Sequence, residues 1–161
     1  MRLAVTGSIA TDHLLSFDGR FVEQLLPDQL ANLSVVFLAN DLQVRRGGTG
    51  ANIAFGLGVL GQNPLLIGSV GKDADDYLVW LREHGVDTSG VRISETLASP
   101  RFTVTTDNDQ NQNGAFYPGA MAEAAQVEPA PVGDRARGGV APPHPAALFR
   151  PPPRSPPPAC P

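Results

Sequence analysis

A formal net charge of −4 across 161 residues, with a sequence pI near 5.2, provides no basic surface for nucleic acid or an anionic membrane and favours a small-molecule ligand. Twelve of the sixteen prolines lie from Pro129 onward, where Phe149 is the one aromatic, so the packed core is expected within residues 1–128. The single cysteine, Cys160, cannot form an intramolecular disulfide, Asp12 and His13 interrupt the first apolar run, and no stretch approaches the ~18 apolar residues of a membrane span, which predicts a cytoplasmic protein.

In chain order, Leu3 to Thr6 is a short apolar run ending at Gly7, a predicted buried strand with Asp12 just beyond its end. Phe21, Leu25 and Leu26 have helical spacing before Pro27. Ser34 to Ala39 and Leu42 to Arg46 are strand-like runs broken by the turn pair Asn40-Asp41, and are expected to form a hairpin. From Ala51 the apolar residues Ile53, Ala54, Leu57 and Leu60 share one helical face, closed by Gly61 as a C-cap. Leu65 to Val70 reads as a continuous apolar strand. A second helix is predicted over 74–84, with Tyr77, Leu78 and Leu81 on one face and Gly85 after its end. Val91 to Ser94 is another short strand. Phe102, Val104 and Thr106 alternate with Thr103 and Thr105, a strand covered unequally on its two faces, and after the polar turn Asp107 to Gly114 the run Gly114 to Met121 returns as its partner. Alternating strands and helices predict an α/β fold with parallel pairs, to which the hairpin-like insertions add a small β element.

The most informative stretch is Gly47-Gly48-Thr49-Gly50-Ala51-Asn52-Ile53-Ala54, followed at fixed spacing by Gly61 and Gly71. Glycines here let the backbone turn sharply and approach a ligand, and the helix that starts behind them puts Asn52 in its first turn. This spacing resembles the N-terminal signature of the ribokinase-like (PfkB) carbohydrate kinases. The opening Val5-Thr6-Gly7-Ser8-Ile9-Ala10-Thr11-Asp12-His13 has the form of that family's first strand, with an acidic residue five positions after the glycine. Within the family the strongest resemblance is to the actinobacterial adenosine kinases, in Ala4 to Leu15, Arg45-Arg46-Gly47-Gly48, Ile93-Ser94-Glu95-Thr96 and Ala115 to Met121. It covers roughly residues 1 to 128 and implies the N-terminal, substrate-binding part of a ribokinase-like fold, a parallel-rich sheet flanked by helices, with the small β element as a lid.

An ionised Asp accepts through two oxygens and so can take both donors of a vicinal diol; the resemblance assigns Asp12 to the ribose hydroxyls, where letters alone also allow a helix N-cap or a solvated turn. Asn52 both donates and accepts, which suits a sugar hydroxyl, or it caps its helix. Gly47 and Gly48 mark a substrate approach or an ordinary turn. Ser8 bonds either base and sugar or the local backbone. Phe102 and Phe116 stand on adjacent strands, either in the core or stacked on adenine, where a base–aromatic contact contributes about 1–3 kcal/mol. Phe37, on the first hairpin, is implied to reach a partner subunit's site across a lid-to-lid homodimer. Gly56-Leu57-Gly58-Val59-Leu60-Gly61 spells a dinucleotide fingerprint but falls inside a helix instead of opening one, so those glycines are read as close-packing positions. His13, His84 and His144 lack metal-ligand spacing.

ATP and Mg2+ are implied by the resemblance, yet the family's second Gly-rich segment, of G-x-G-D form, is missing and with it the catalytic Asp. Gly133-Asp134 lacks the preceding glycine and any helix after it. The expected function is therefore a truncated adenosine kinase-like protein, inactive by itself; a ribokinase-like sugar kinase fragment and a binding module with a Pro-rich interaction tail are the alternatives. Arg135 to Gly139 and the proline runs to Pro158 predict a tail, 129–161, without ladder hydrogen bonds and with polyproline II bias. Residues 135 to 161 hold one Ser and no Glu, Lys or Gln, which suggests a frameshift product of G- and C-rich codons.

Overall fold

The computed structural model describes residues 3–25, 34–126 and 139–140. Two four-stranded sheets organise them. The first is wholly parallel: β1 (Ala4–Thr6) lies beside β4 (Leu65–Gly71), β4 beside β5 (Asp87–Ser94), and on β1's other edge stands β8 (Gly139–Val140), giving the order β5-β4-β1-β8. One face of this sheet, through Val5, Leu66 and Val70, packs on α2 (Thr49–Val59) and α3 (Asp75–Glu83), burying Ala51, Ala54, Tyr77, Leu78 and Leu81 in the core. Each large apolar side chain so buried contributes about 1.5–3 kcal/mol before entropy is counted.

The second sheet is mixed. β2 (Ala10–Ser16) pairs antiparallel with β3 (Asp41–Gly47) and parallel with β6 (Arg101–Thr106), which pairs antiparallel with β7 (Gln112–Tyr117), for the order β3-β2-β6-β7. This is the small β lid of an α/β protein, entered from the parallel sheet and returning to it. A four-residue α1 (Phe21–Gln24) follows β2, and 3-10 turns span Lys72–Ala74 and Gly119–Gln126.

Several sequence expectations are corrected by these pairings. Residues 34–39 form no strand, and β3 finds its antiparallel partner in β2, because Asn40 closes onto β2 by donating its N–H to the Ser16 carbonyl (2.8 Å). Asp12, which follows the first strand, lies inside the second. β5 begins four residues earlier than the apolar signal, since a parallel ladder to β4 needs no apolar side chain at its polar start. The return strand ends at Tyr117, and Gly119 to Gln126 turns instead into a 3-10 helix. Leu60 is 74% exposed, because α2 approaches the sheet through its small residues, Gly50, Ala51, Ala54 and Gly58. Of the fingerprint glycines, only Gly58 is a close-packing position, its face lying against the His84 carbonyl; Gly56 meets nothing. Gly61, with φ +75°, closes α2 as expected. In the tail, Gly139 and Val140 do enter a ladder, opposite Ala4 and Val5, which corrects the reading that Gly139 could not. The rest of the Pro-rich tail lies outside the described residues.

Candidate functional site

The lid register assembles the site. Asp12 of β2 stands directly opposite Arg45 of β3 on one side and Phe102 of β6 on the other, and Phe102 stands opposite Phe116 of β7. Directly paired residues project from the same face of a sheet. One face thus carries the row Arg45, Asp12, Phe102, Phe116, a carboxylate followed by two aromatics. Phe102 is 37% exposed and Phe116 half-buried, so neither is a sealed core residue, while Val104, two residues along on that face, is buried. Arg45 is exposed and its guanidinium donates to Gln43 Oε1.

The Gly47-Gly48 crossing from β3 into α2 lies against this row. A side chain at Gly47 would fall on the Asp12 carboxylate, and one at Gly48 would lie 2.5 Å from the Ser8 carbonyl oxygen. Gly48 also holds φ at +93°, a conformation that residues with a Cβ rarely adopt. Both glycines are therefore required by close approach, and the turn they make is not an ordinary one. Ser8 Oγ accepts the Thr49 N–H at 2.9 Å and the Ser8 carbonyl accepts the Ala51 N–H at 3.1 Å. The serine caps α2 from the β1–β2 connection and keeps its own hydroxyl proton to donate. Asn52 lies on the exposed side of α2's first turn.

Burial pushes the Asp12 carboxyl above its ordinary value, against the weaker opposing pull of neighbouring His13. Ionisation there is costly, and hydrogen-bond donors brought by a ligand would relieve that cost. Phe37 is not near this row. It packs on Phe17 and Phe21, with ring centroids 5.2 and 4.4 Å away, beyond the other end of β2, roughly 15 Å along the strand from Asp12.

Sequence reasoning passed over the residues that tie the lid to the helices. Tyr77 Oη donates to the Gly47 carbonyl at 2.9 Å, and the Arg46 guanidinium carbon lies 4.9 Å from the centre of the Trp80 ring. Burial pushes the Tyr77 hydroxyl up to about 12, so it remains a donor. Their helical spacing marked Tyr77 as core, and only the fold shows what its hydroxyl reaches.

Neither core helix presents a fully free, anion-favouring N-terminus to a nucleotide's phosphates. Ser8 engages the Thr49 and Ala51 amides in the first turn of α2, and the first turn of α3 carries Asp75 and Asp76, which repel anions. Among the described residues no three His, Cys, Asp or Glu side chains gather as a metal-binding set.

The sequence profile of the pfkB family carbohydrate kinases matches residues 18–132. A nucleoside kinase from Burkholderia thailandensis, solved in complex with inosine, is 32% identical over 85% of this chain and 43% of its own, with a TM-score of 0.69. A nucleoside kinase from Methanocaldococcus jannaschii (23% identity, 88% of this chain, 44% of its own, TM-score 0.71) and a ribokinase from Cryptococcus neoformans in complex with ADP (24% identity, 74% and 35%, TM-score 0.61) share the fold. The chain spans less than half the length of these proteins. With the glycine crossing, the parallel sheet and the β lid all in place, this chain belongs to the pfkB family of carbohydrate kinases, whose ribokinase-like fold it carries in part.

Proposed function

We propose that this chain is the nucleoside-binding portion of an adenosine kinase-like enzyme. Asp12 accepts the two ribose hydroxyls, Asn52, Ser8 and the Gly47-Gly48 backbone line the sugar, and Phe102 and Phe116 pack on the base. The single observation carrying this reading is the row Asp12, Phe102, Phe116 on one lid face, which puts a diol acceptor beside two half-exposed aromatics. The inosine in the Burkholderia thailandensis enzyme supports a purine nucleoside, of which adenosine is our choice. A complete enzyme of this kind would move the γ-phosphoryl group of ATP to the nucleoside 5′-hydroxyl with Mg2+. Because its sequence has no G-x-G-D segment to supply a phosphate cradle and base, the chain by itself is expected to transfer none. Its cytoplasmic location, and a homodimer through the lid in which the half-buried Phe37 contacts the partner subunit, belong to the same reading.

A sugar kinase portion is the second reading, supported by the shared glycine crossing; the aromatic pair favours the nucleoside. Calorimetry with adenosine, inosine and ribose distinguishes them. Adenosine and inosine are expected to bind more tightly than ribose, and Asp12→Ala to weaken binding by about 1.5–3 kcal/mol, the contribution of hydrogen bonds to a charged group. Asp18→Ala, in an exposed turn, is expected to leave binding unchanged. Equal losses from both substitutions would refute the role of Asp12, ribose binding as tight as adenosine would refute the nucleoside, and phosphorylated adenosine formed from ATP and Mg2+ would refute the inactive half.

A further inference from the structure

The two sheets are joined at four chain crossings, and one short stretch, Gly71 to Trp80, grips two of them. At the β5–β6 crossing, Asp73 Oδ1 accepts both the backbone N–H of Ser99 (2.8 Å) and its hydroxyl (2.7 Å), while Ser99 Oγ accepts the Gly71 N–H (2.9 Å). The serine is buried, and every polar group it presents to this knot is used. The second Asp73 oxygen faces Arg101, 3.8 Å away, at the start of β6 and next to Phe102. The Pro100 carbonyl then accepts the Thr11 N–H (3.1 Å), which carries the same crossing to the residue before Asp12. At the β3–α2 crossing, Tyr77 holds the Gly47 carbonyl and Trp80 lies under Arg46. Gly71 completes the device: a Cβ there would lie 2.5 Å from the Leu97 carbonyl oxygen and 2.6 Å from Asp73 Oδ1, so the crossing loop rests directly on the backbone.

We propose that Asp73 is a positioning residue for the substrate site, which through Ser99 fixes where β6 presents Phe102 beside Asp12, with Tyr77 and Trp80 holding the opposite flank of the lid. The lid sheet is thereby set against the core by side chains of a single segment. The consequence for ligand rests on the nucleoside-binding reading; the consequence for the lid does not. Removing the acceptor strands a buried serine hydroxyl and amide, and the crossing shifts to rehydrate them. Because β6, β2 and β3 are hydrogen-bonded into one sheet, that shift reaches Arg46 and changes the surroundings of Trp80, the only tryptophan in the chain.

The test uses the full 161-residue chain with Asp73→Ala and Asp73→Asn, the latter keeping an acceptor oxygen for Ser99. With far-UV circular dichroism unchanged, Asp73→Ala is expected to shift Trp80 emission, to speed hydrogen exchange at the Ser99 and Thr11 amides by about tenfold, and to weaken adenosine binding by about tenfold, with Asp73→Asn within about threefold of the parent. Parent-like emission and exchange in Asp73→Ala, or an asparagine variant as impaired as the alanine, would overturn the proposal. If the parent chain binds no nucleoside, the functional reading fails while emission and exchange still decide the clamp. Should Asp73→Ala not fold, Ser99→Ala decides: faster exchange at Thr11 with altered Trp80 emission supports the clamp, and parent values refute it.

Discussion

Asp12 shows how much one residue's meaning depends on register. As a letter after a short apolar run it is compatible with a cap, a turn or a ligand contact; in β2 it lies between an arginine and a phenylalanine, with a glycine backbone against its carboxylate. Its raised pKa follows from that burial, and a group held where ionisation is costly gains most when a diol donates to it. Ser69 is the converse case. Its hydroxyl is buried at 3% exposure and has no hydrogen-bond partner among the described residues. An unsatisfied buried donor costs about 1–3 kcal/mol, so Ser69→Ala is expected to stabilise the chain by ~1 kcal/mol, read as a raised midpoint in urea unfolding. A lowered midpoint would show that the hydroxyl has a partner.

Among the elements, the parallel strands are the most exposed to failure. Val5, Leu66 and Val70 are fully buried beneath α2 and α3. On the opposite face Arg92 and Ser94 of β5 bond Glu123, so the 3-10 helix Gly119–Gln126 covers the C-terminal ends of β4 and β5, while Thr6 stays exposed. Among the described residues, the outer edge of β1 is paired only by the two residues of β8. A parallel sheet is normally covered on both faces, and an unpaired edge templates association. Truncation after residue 126 removes β8 and is expected to increase self-association, measured by sedimentation velocity at several concentrations. Identical sedimentation of the full and truncated chains would mean that β8 protects nothing.

At the scale of the whole molecule, two carboxylates join parts distant in sequence. Asp107 accepts from the Phe21, Asp109 and Asn111 amides and the Asn111 side chain, pinning α1 to the lid, and Asp73 pins the lid to the core. Burial works to raise both pKa values, but these hydrogen bonds, with Arg101 beside Asp73, outweigh it, and both lie below the ordinary carboxylate value. The sign follows: a depressed folded pKa gives stability that is complete above the unfolded value and is lost as pH falls from there through the folded one. Thermal midpoints are expected to be flat down to about pH 5 and to fall below about pH 4. Asp73→Asn should flatten part of that acid limb, and an unchanged limb would remove Asp73 from the account.

The sequence by itself determined the family, the α/β class, both core helices with their glycine terminations, and the existence of the lid strand β6, though of its expected covered face only Val104 is buried. Each is written locally, in the spacing of apolar residues, in Gly47 and Gly48, where a Cβ would meet Asp12 and the Ser8 backbone, and in Gly61 and Gly85, whose positive φ disfavours a side chain. Tertiary structure alone decided which strands pair, because residues 10–16 and 41–47 carry no local signal that one will choose the other. It alone put Phe37 against Phe17 and Phe21, ended β7 at Tyr117, and joined Asp73 to Ser99 across a separation of 26 residues. The physical reason is the same throughout: glycine conformation and apolar period act within a few residues, whereas register, hydrogen-bond partners and the face a side chain shares are fixed only when distant segments meet.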